Sequence, residues 1–514
     1  MNLPNAFAES AASHAKKTAL FWGDEEFSHE QVWFQTTWVA NHLQQRFGLQ
    51  PGQRVGLLLK NGPRFVAALL GAMTSGGVVA PINNFLKTEE VVQILADGGI
   101  DVLIADATTA EMLPGLQKSR PALQSFCIEE IPASLTSAVP VQDAKRLAND
   151  TAMLIYTSGT TGRPKGIMLS HENLLQNVES CRIMLRAVEE DRFIVLLPMF
   201  HSFMLTVGAL LPILVGGSIL IVKSVHPMKS VIEEIIRRQA TLLPSVPAWF
   251  RPFIHAAPAT GLPLRLCVSG GAALPGEVLK EFNAKFSFPL IEGYGLSETS
   301  PVASLNPIQG PWKAGSIGLP IPNVEMSIQD DAGNLLPNGQ TGEVCIRGKN
   351  VMQGYWHLPE ETARVRRGDW LLTGDVGHRD EDGYYFITDR KKDMIIVNGI
   401  NVYTREVEEV IYRYPGVREA AVVGQNDPRR GEHPVAFVAV AEGATVDEKA
   451  LLVHIREHLA DYKVPRKVSF VPALPRNATG KVLKTQLRQI ANTPHYRCRI
   501  DNFADSIPKA PRTQ

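Results

Sequence analysis

The first four hundred residues alternate short, wholly apolar runs with amphipathic stretches, and few folds accept that pattern. VGLLL (55–59), GVVAPIN (77–83), LIAD (103–106), SILIV (218–222) and LRLCVSGG (264–271) carry almost no polar side chains. A strand that is apolar on both faces needs cover on both faces, which parallel sheets flanked by helices supply. Residues 64–74 space their apolar side chains for one face of a helix. No short-period repeat is evident. Residues 204–222 carry no charge and reach bilayer length, but Pro212 and Gly216-Gly217 interrupt them. They read as a buried helix, a glycine turn and a buried strand.

The texture changes near residue 340. GEVCIRG, YYFITDR and DMIIVNG are short strands separated by Gly and Asp turns, which indicates a smaller β-rich subdomain. After Asp389 the order is helix (404–414), strand (AAVVG), strand (VAFVAV) and helix (447–459), a compact α+β unit. A chain of 514 residues exceeds one ordinary core. The expected domains are 1–389, 390–490 and a tail, 491–514.

Lys plus Arg and Asp plus Glu both number 52, so no global basic field invites nucleic acid. Five cysteines, none in a C-x-x-C pair, argue against a disulfide framework or zinc knuckle and fit a reducing compartment. The opening MNLPNAFAESAASHAKK lacks the pattern of a signal peptide, so the expected location is the cytoplasm.

The sharpest motif is TSGTTGRPKG, residues 157–166, after the apolar run TAMLIY and before a helix-like stretch from His171. Its glycines free backbone N–H groups to approach a polyanion; Thr157, Ser158, Thr160 and Thr161 add hydroxyl donors, and Lys165 adds charge. No Ser or Thr follows the lysine, so it is not a Walker loop.

With this loop the chain resembles the adenylate-forming superfamily of acyl-CoA synthetases, peptide-synthetase adenylation domains and beetle luciferases. The resemblance runs to about residue 485, with the motifs in the family's order. It implies an α/β fold: a large N-terminal domain of layered α/β subdomains plus a β-rich subdomain, and a small mobile α+β C-terminal domain. TSGTTGRPKG resembles the phosphate loop, with Gly159 and Gly162 among its ATP-binding residues. PMFHS (198–202) resembles the segment whose Phe200 and His201 line the passage between acyl and pantetheine sites. SGGAAL (269–274), with Gly271 and Ala272, and EGYGLSE (292–298), with Glu292, Gly293, Tyr294, Gly295, Leu296 and Ser297, resemble the adenine-binding stretches. By the same resemblance Tyr294 stacks on adenine, Ser297 donates to the α-phosphate and Glu298 holds Mg²⁺, whose ligands are hard oxygens. TGD (373–375) resembles the ribose motif, and Asp375 beside a Gly turn can accept two hydroxyl hydrogen bonds. DRKKDMIIVNGINV (389–402) resembles the hinge and the loop after it: Arg390 binds ribose or phosphate, Lys392 is the pivot, and Asn398-Gly399 meets coenzyme A. PRNATGK (475–481) resembles the catalytic-lysine motif, in which Lys481 bridges carboxylate and α-phosphate. Alone, a DRKKD run is a solvated charged face and Lys481 a surface lysine.

The implied chemistry is activation of a carboxylic acid by ATP as acyl-AMP, then transfer to coenzyme A after the C-terminal domain rotates. His201, counted with Lys481 and Glu298 among catalytic candidates, has neither a carboxylate partner nor a Ser nucleophile in sequence view, so no triad is assigned. The pocket stretches supply apolar Met204, Val207, Val246 and Val302 and no charge to pair with an amino group. A medium- or long-chain fatty acid is the first expectation and an aryl acid such as a cinnamate the second. A carrier protein is the alternative acceptor, though no carrier domain is attached. The resemblance leaves a homodimer and a peripheral membrane contact open. A non-catalytic homologue is disfavoured by the retention of Glu298, Asp375, Arg390 and Lys481.

Overall fold

The apolar runs become strands in a computed structural model that describes residues 1–132, 135–158, 164–427, 431–477 and 480–493. Arg54–Leu58, Val78–Pro81 and Ile100–Ala105 lie side by side in parallel, with Gln124–Cys127 beyond them and Thr151–Ser158 on the other flank. Pro164–Ser170 then turns back antiparallel, a strand that the sequence reading passed over on its way to the helix His171–Leu185. Helix His29–Phe47 starts where the Ser28 hydroxyl accepts from the Gln31 amide and the Gln31 side chain accepts from the Ser28 amide. It packs on helix Pro63–Thr74, and Gly71 sets how closely. A Cβ there would sit 2.6 Å from Cβ of Val39.

The second sheet follows Thr18–Trp22, Ser218–Ile221, Arg192–Val195, Leu242–Ser245, Leu266–Ser269 and Leu290–Gly295 in parallel. From there it continues antiparallel through Val302–Leu305, Ser316–Pro320, Tyr385–Arg390, Trp370–Arg379, Gly342–Gly348 and Val324–Gln329. The β-rich portion is thus hydrogen-bonded to the parallel strands, and its edge meets them near Tyr294.

Residues 204–222 are buried protein. Met204–Leu210 is a π-helix that runs into helix Leu211–Leu214, a turn at Gly216 and strand Ser218–Ile221. Such wide turns are rare and are frequently found at functional sites. Met204 lies over Gly208, where a Cβ would come 2.2 Å from its sulfur. Among the described residues no helix is long and apolar enough to cross a membrane.

A third sheet joins Ile395–Val397, Ile400–Val402, Val417–Asp427, Gly431–Val440 and Lys467–Phe470. Its two long strands alternate between two cores. Val422, Ala436 and Val438 face helices Thr404–Tyr412 and Glu448–His458, while Val423, Val435 and Phe437 face helix Lys484–Ala491. That two-sided burial explains the unbroken apolar runs AAVVG and VAFVAV, each large side chain contributing roughly 1.5–3 kcal/mol. Cys127, Cys181, Cys267 and Cys345 are free thiols; Cys498 and the tail from 494 lie outside the described residues.

Candidate active site

The motif at 157–166 begins at the end of strand Thr151–Ser158 and finishes in the antiparallel strand Pro164–Ser170, with Thr157 opposite Lys165. Gly159, Thr160, Thr161, Gly162 and the Ser158 side chain lie outside the described residues. The second strand of this hairpin pairs with Gly354–Tyr355. Through that pairing Lys165 reaches Glu361 at 2.6 Å and lies 5.2 Å from the centre of the Tyr355 ring. The Tyr355 hydroxyl donates to Glu298 Oε1 at 2.9 Å. Lys165 and Glu298, 133 positions apart, therefore flank one tyrosine. Sequence reasoning missed both Tyr355 and Glu361.

Glu298 sits in a 3₁₀ turn, Ser297–Thr299, after strand Leu290–Gly295. The turn is held from behind. Asn177 Nδ2 donates to Val302 O at 2.7 Å, and Asn350 Nδ2 donates to Thr299 O and Val302 O, both at 3.0 Å. Gly295 permits it: a Cβ would stand 1.8 Å from Pro301 O. Ser297 shares a hydrogen bond with Ser202 at 2.9 Å.

Tyr294, from the same strand, donates its hydroxyl to Asp375 Oδ2 at 2.6 Å, and Arg390 Nε meets Asp375 Oδ1 at 2.8 Å. Asp375 and Arg390 are directly opposed in the pairing of Trp370–Arg379 with Tyr385–Arg390. Burial, then the neighbouring Asp375 charge, raises the Tyr294 phenol well above its usual range, so it stays a donor. Asp375 thus has one partner on each oxygen where the sequence reading gave it ribose hydroxyls. A carboxylate accepts about four hydrogen bonds, so lone pairs remain for them. Glu292 is buried, accepts the Leu274 amide at 3.1 Å, and is pushed up to about 7 by that burial.

Lys481 arrives from the C-terminal unit. Its loop is braced by Asn477, whose Oδ1 accepts the Lys481 amide at 2.9 Å and whose amide donates to Lys481 O at 2.9 Å. Val246 lies between the two units, 3.6 Å from where a Cβ of Gly271 would be and 3.4 Å from that of Gly480. The Lys481 side chain is solvent-accessible yet enclosed by protein. Loss of bulk water first, and the Arg390 charge second, bring its ammonium down to about 8. His201 lies within its field. Burial, then the Lys481 charge, pulls that imidazole down to about 4, so at neutral pH it carries no charge.

Phe200, Met204, Val207, Val246 and Val302 are all buried. The Phe203 ring closes on Gly270, 3.2 Å from where its Cβ would be, and Phe200 packs edge-on against the exposed Phe85. Asn398 and Gly399 are not in this assembly. They form the exposed turn between Ile395–Val397 and Ile400–Val402. Lys392 is exposed, and its carbonyl accepts from Arg488 Nη1 at 2.9 Å.

A strand-held carboxylate with an arginine, a second carboxylate beside a lysine, and a further lysine from another unit are groups of the kind that can hold a phosphorylated ligand. The family model for AMP-binding enzymes matches residues 7–356, and that for their C-terminal domain matches 406–481. The chain belongs to the AMP-binding enzyme family. A long-chain-fatty-acid–CoA ligase of Bacillus subtilis is 34% identical over 539 residues, covering 96% of this chain and 95% of its own. A feruloyl-CoA synthase of an Amycolatopsis species is 34% identical over 482 residues, covering 92% of this chain and 95% of its own. Among solved structures, the o-succinylbenzoate coenzyme A synthetase of Bacillus subtilis in complex with ATP and magnesium matches with a TM-score of 0.85. It is 28% identical, and the match covers 94% of this chain and 99% of that one. The chain is thus an AMP-forming acyl-CoA synthetase, a ligase, with the mixed α/β architecture of a large N-terminal and a smaller C-terminal domain.

Proposed function

We propose that this enzyme joins a medium- or long-chain fatty acid to coenzyme A through an acyl-adenylate, with Lys481 delivering the charge that the first step needs. The observation that supports the mechanism is that Lys481, on the C-terminal unit, lies within the field of the Arg390–Asp375 pair on strands of the larger one.

A carboxylate is a poor acyl donor because its leaving group would be oxide. In the first step a carboxylate oxygen attacks the α-phosphorus of ATP and pyrophosphate leaves. Asp375 accepts the ribose hydroxyls, Arg390 holds Asp375 in place, and Tyr294 fixes its second oxygen. Lys481 lies between the carboxylate and the α-phosphate and stabilises charge where the new bond forms. The motif at 157–166, with its Lys165, holds the outgoing phosphates, Glu361 keeping Lys165 in place until they arrive. Glu298 suits a magnesium ion. It is a hard oxygen donor fixed through Oε1 by Tyr355, and a bound ion would offset phosphate charge. In the second step the thiol of coenzyme A attacks the acyl carbon and AMP leaves. The C-terminal domain turns about Lys392 between the steps, withdrawing Lys481 and bringing Asn398-Gly399 to the pantetheine passage beside Phe200 and His201.

The fatty-acid reading rests on the apolar lining from Met204 to Val302 and on the ligase from Bacillus subtilis. The feruloyl-CoA synthase favours a second reading, an aryl acid, since the same lining accepts a ring. The two separate in a series of straight-chain acids from acetate upward, with benzoate and a cinnamate, followed by pyrophosphate release and thioester formation. Each methylene buried contributes roughly 0.8 kcal/mol, so kcat/KM is expected to climb about fourfold per carbon, past octanoate, before levelling. A maximum at acetate, or a clear preference for the aromatic acids, would overturn the fatty-acid reading and leave the adenylation chemistry intact.

A further inference from the structure

One buried polar network spans the two domains and meets the groups assigned to the reaction at the backbone amide of Arg390. Asp389 is buried at the end of strand Tyr385–Arg390, beside Arg390. Its carboxylate takes the Arg390 amide at 2.8 Å, and its other partners come from beyond the hinge: both the amide and the hydroxyl of Thr404, the first residue of helix Thr404–Tyr412, donate to it. The Thr404 hydroxyl accepts in turn from Lys484 Nζ at 2.7 Å. Lys484 also lies 2.8 Å from Glu408 Oε1, which takes the Val422 amide at 2.7 Å. Lys484 opens helix Lys484–Ala491, three positions after Lys481.

We propose that Asp389 is a positioning residue: its contact with Thr404, and through Thr404 with Lys484, holds the C-terminal domain in the orientation that presents Lys481 for adenylation. The proposal rests on the rotation about Lys392 described above. Asp389 and Thr404 lie on opposite sides of that pivot, so the contact belongs to one orientation and parts in the other. The charges suit a latch that opens. Lys484, Glu408 and Thr404 all belong to the C-terminal domain, so after rotation Lys484 still has its ion pair with Glu408. Asp389 keeps the Arg390 amide of its own strand, and water can replace what it and Thr404 lose. Burial raises the Asp389 carboxyl above its usual range, against the pull of Lys484. Burying the carboxylate has a desolvation cost that offsets part of its hydrogen bonding, which favours release of the contact.

The test measures both half-reactions, acyl-AMP formation with ATP and thioester formation from supplied acyl-AMP, in Asp389→Ala, Thr404→Val, Thr404→Ser and Lys392→Pro. Asp389→Ala is expected to slow adenylation about 10- to 100-fold, the range for losing hydrogen bonds to a charged group. Thioester formation should be unchanged or faster. Thr404→Val should move the same way, and Thr404→Ser, which keeps amide and hydroxyl, should restore adenylation. Equal losses in both half-reactions of Asp389→Ala would mark a structural residue and overturn the proposal. So would wild-type rates in Asp389→Ala while Lys392→Pro separates the half-reactions, which would leave the rotation standing. If Lys392→Pro separates nothing either, the rotation itself fails and the latch with it.

Discussion

Replacing Lys481 by alanine should lower acyl-AMP formation by about 10²- to 10³-fold, roughly 2.7–4 kcal/mol, the scale for removing one preorganised donor from a developing charge. Thioester formation from supplied acyl-AMP should largely survive, because Lys481 acts on a bond that already exists by then. The pH dependence gives a second readout. The ammonium is the working form, and enclosure has brought it down to about 8. The proton is lost sooner than from an ordinary lysine, so kcat/KM for adenylation should be full below that value and fall as pH rises through it. Lys481→Arg keeps its charge across this range, so whatever activity it retains should lack that alkaline limb. Equal losses in both half-reactions of Lys481→Ala would contradict the assignment.

Proline at Lys392 should block the rotation. Among the described residues no carbonyl accepts the Lys392 amide, so in the observed orientation proline removes no hydrogen bond there. That orientation has Lys481 within the field of Arg390 and leaves Asn398-Gly399 exposed. Fixing φ of residue 392 near −65° restricts the torsion about which the domain must turn. Lys392→Pro should therefore retain adenylation within a few-fold and lose thioester formation by about 10²-fold or more, some 2.7 kcal/mol. Two half-reactions at normal rates would argue against this pivot.

What the sequence disclosed was whatever its local pattern could encode. An apolar run such as VGLLL declares a strand covered on both sides, and AAVVG and VAFVAV did the same for the third sheet. The strand Pro164–Ser170 escaped because PKGIMLS opens on a proline, a lysine and a glycine and shows no alternation. The π-helical turns at Met204–Leu210 escaped because a uniformly apolar stretch gives no period to read. In the candidate site, motifs drew attention to Glu298, Asp375, Arg390 and Lys481. Their partners were invisible: Glu361 lies 196 positions from Lys165, and Tyr294 81 from Asp375. Such pairs are made by sheet register and domain packing, which no local window contains. The GYW triplet at 354–356, a glycine before two aromatics, was the one local hint of Tyr355.

The central claim is that the acid is activated by bonding one of its oxygens to the α-phosphorus of ATP, and isotope transfer tests it directly. The acid is labelled with ¹⁸O in both carboxylate oxygens and turned over with ATP and coenzyme A, and the phosphorus products are analysed by mass. The carboxylate oxygen that attacks phosphorus stays there when the thiol displaces AMP from the acyl carbon. One ¹⁸O per thioester formed should therefore appear in AMP, with none in pyrophosphate. Label in inorganic phosphate, with ADP as the nucleotide product, or unlabelled AMP accompanying thioester, would contradict an acyl-adenylate intermediate.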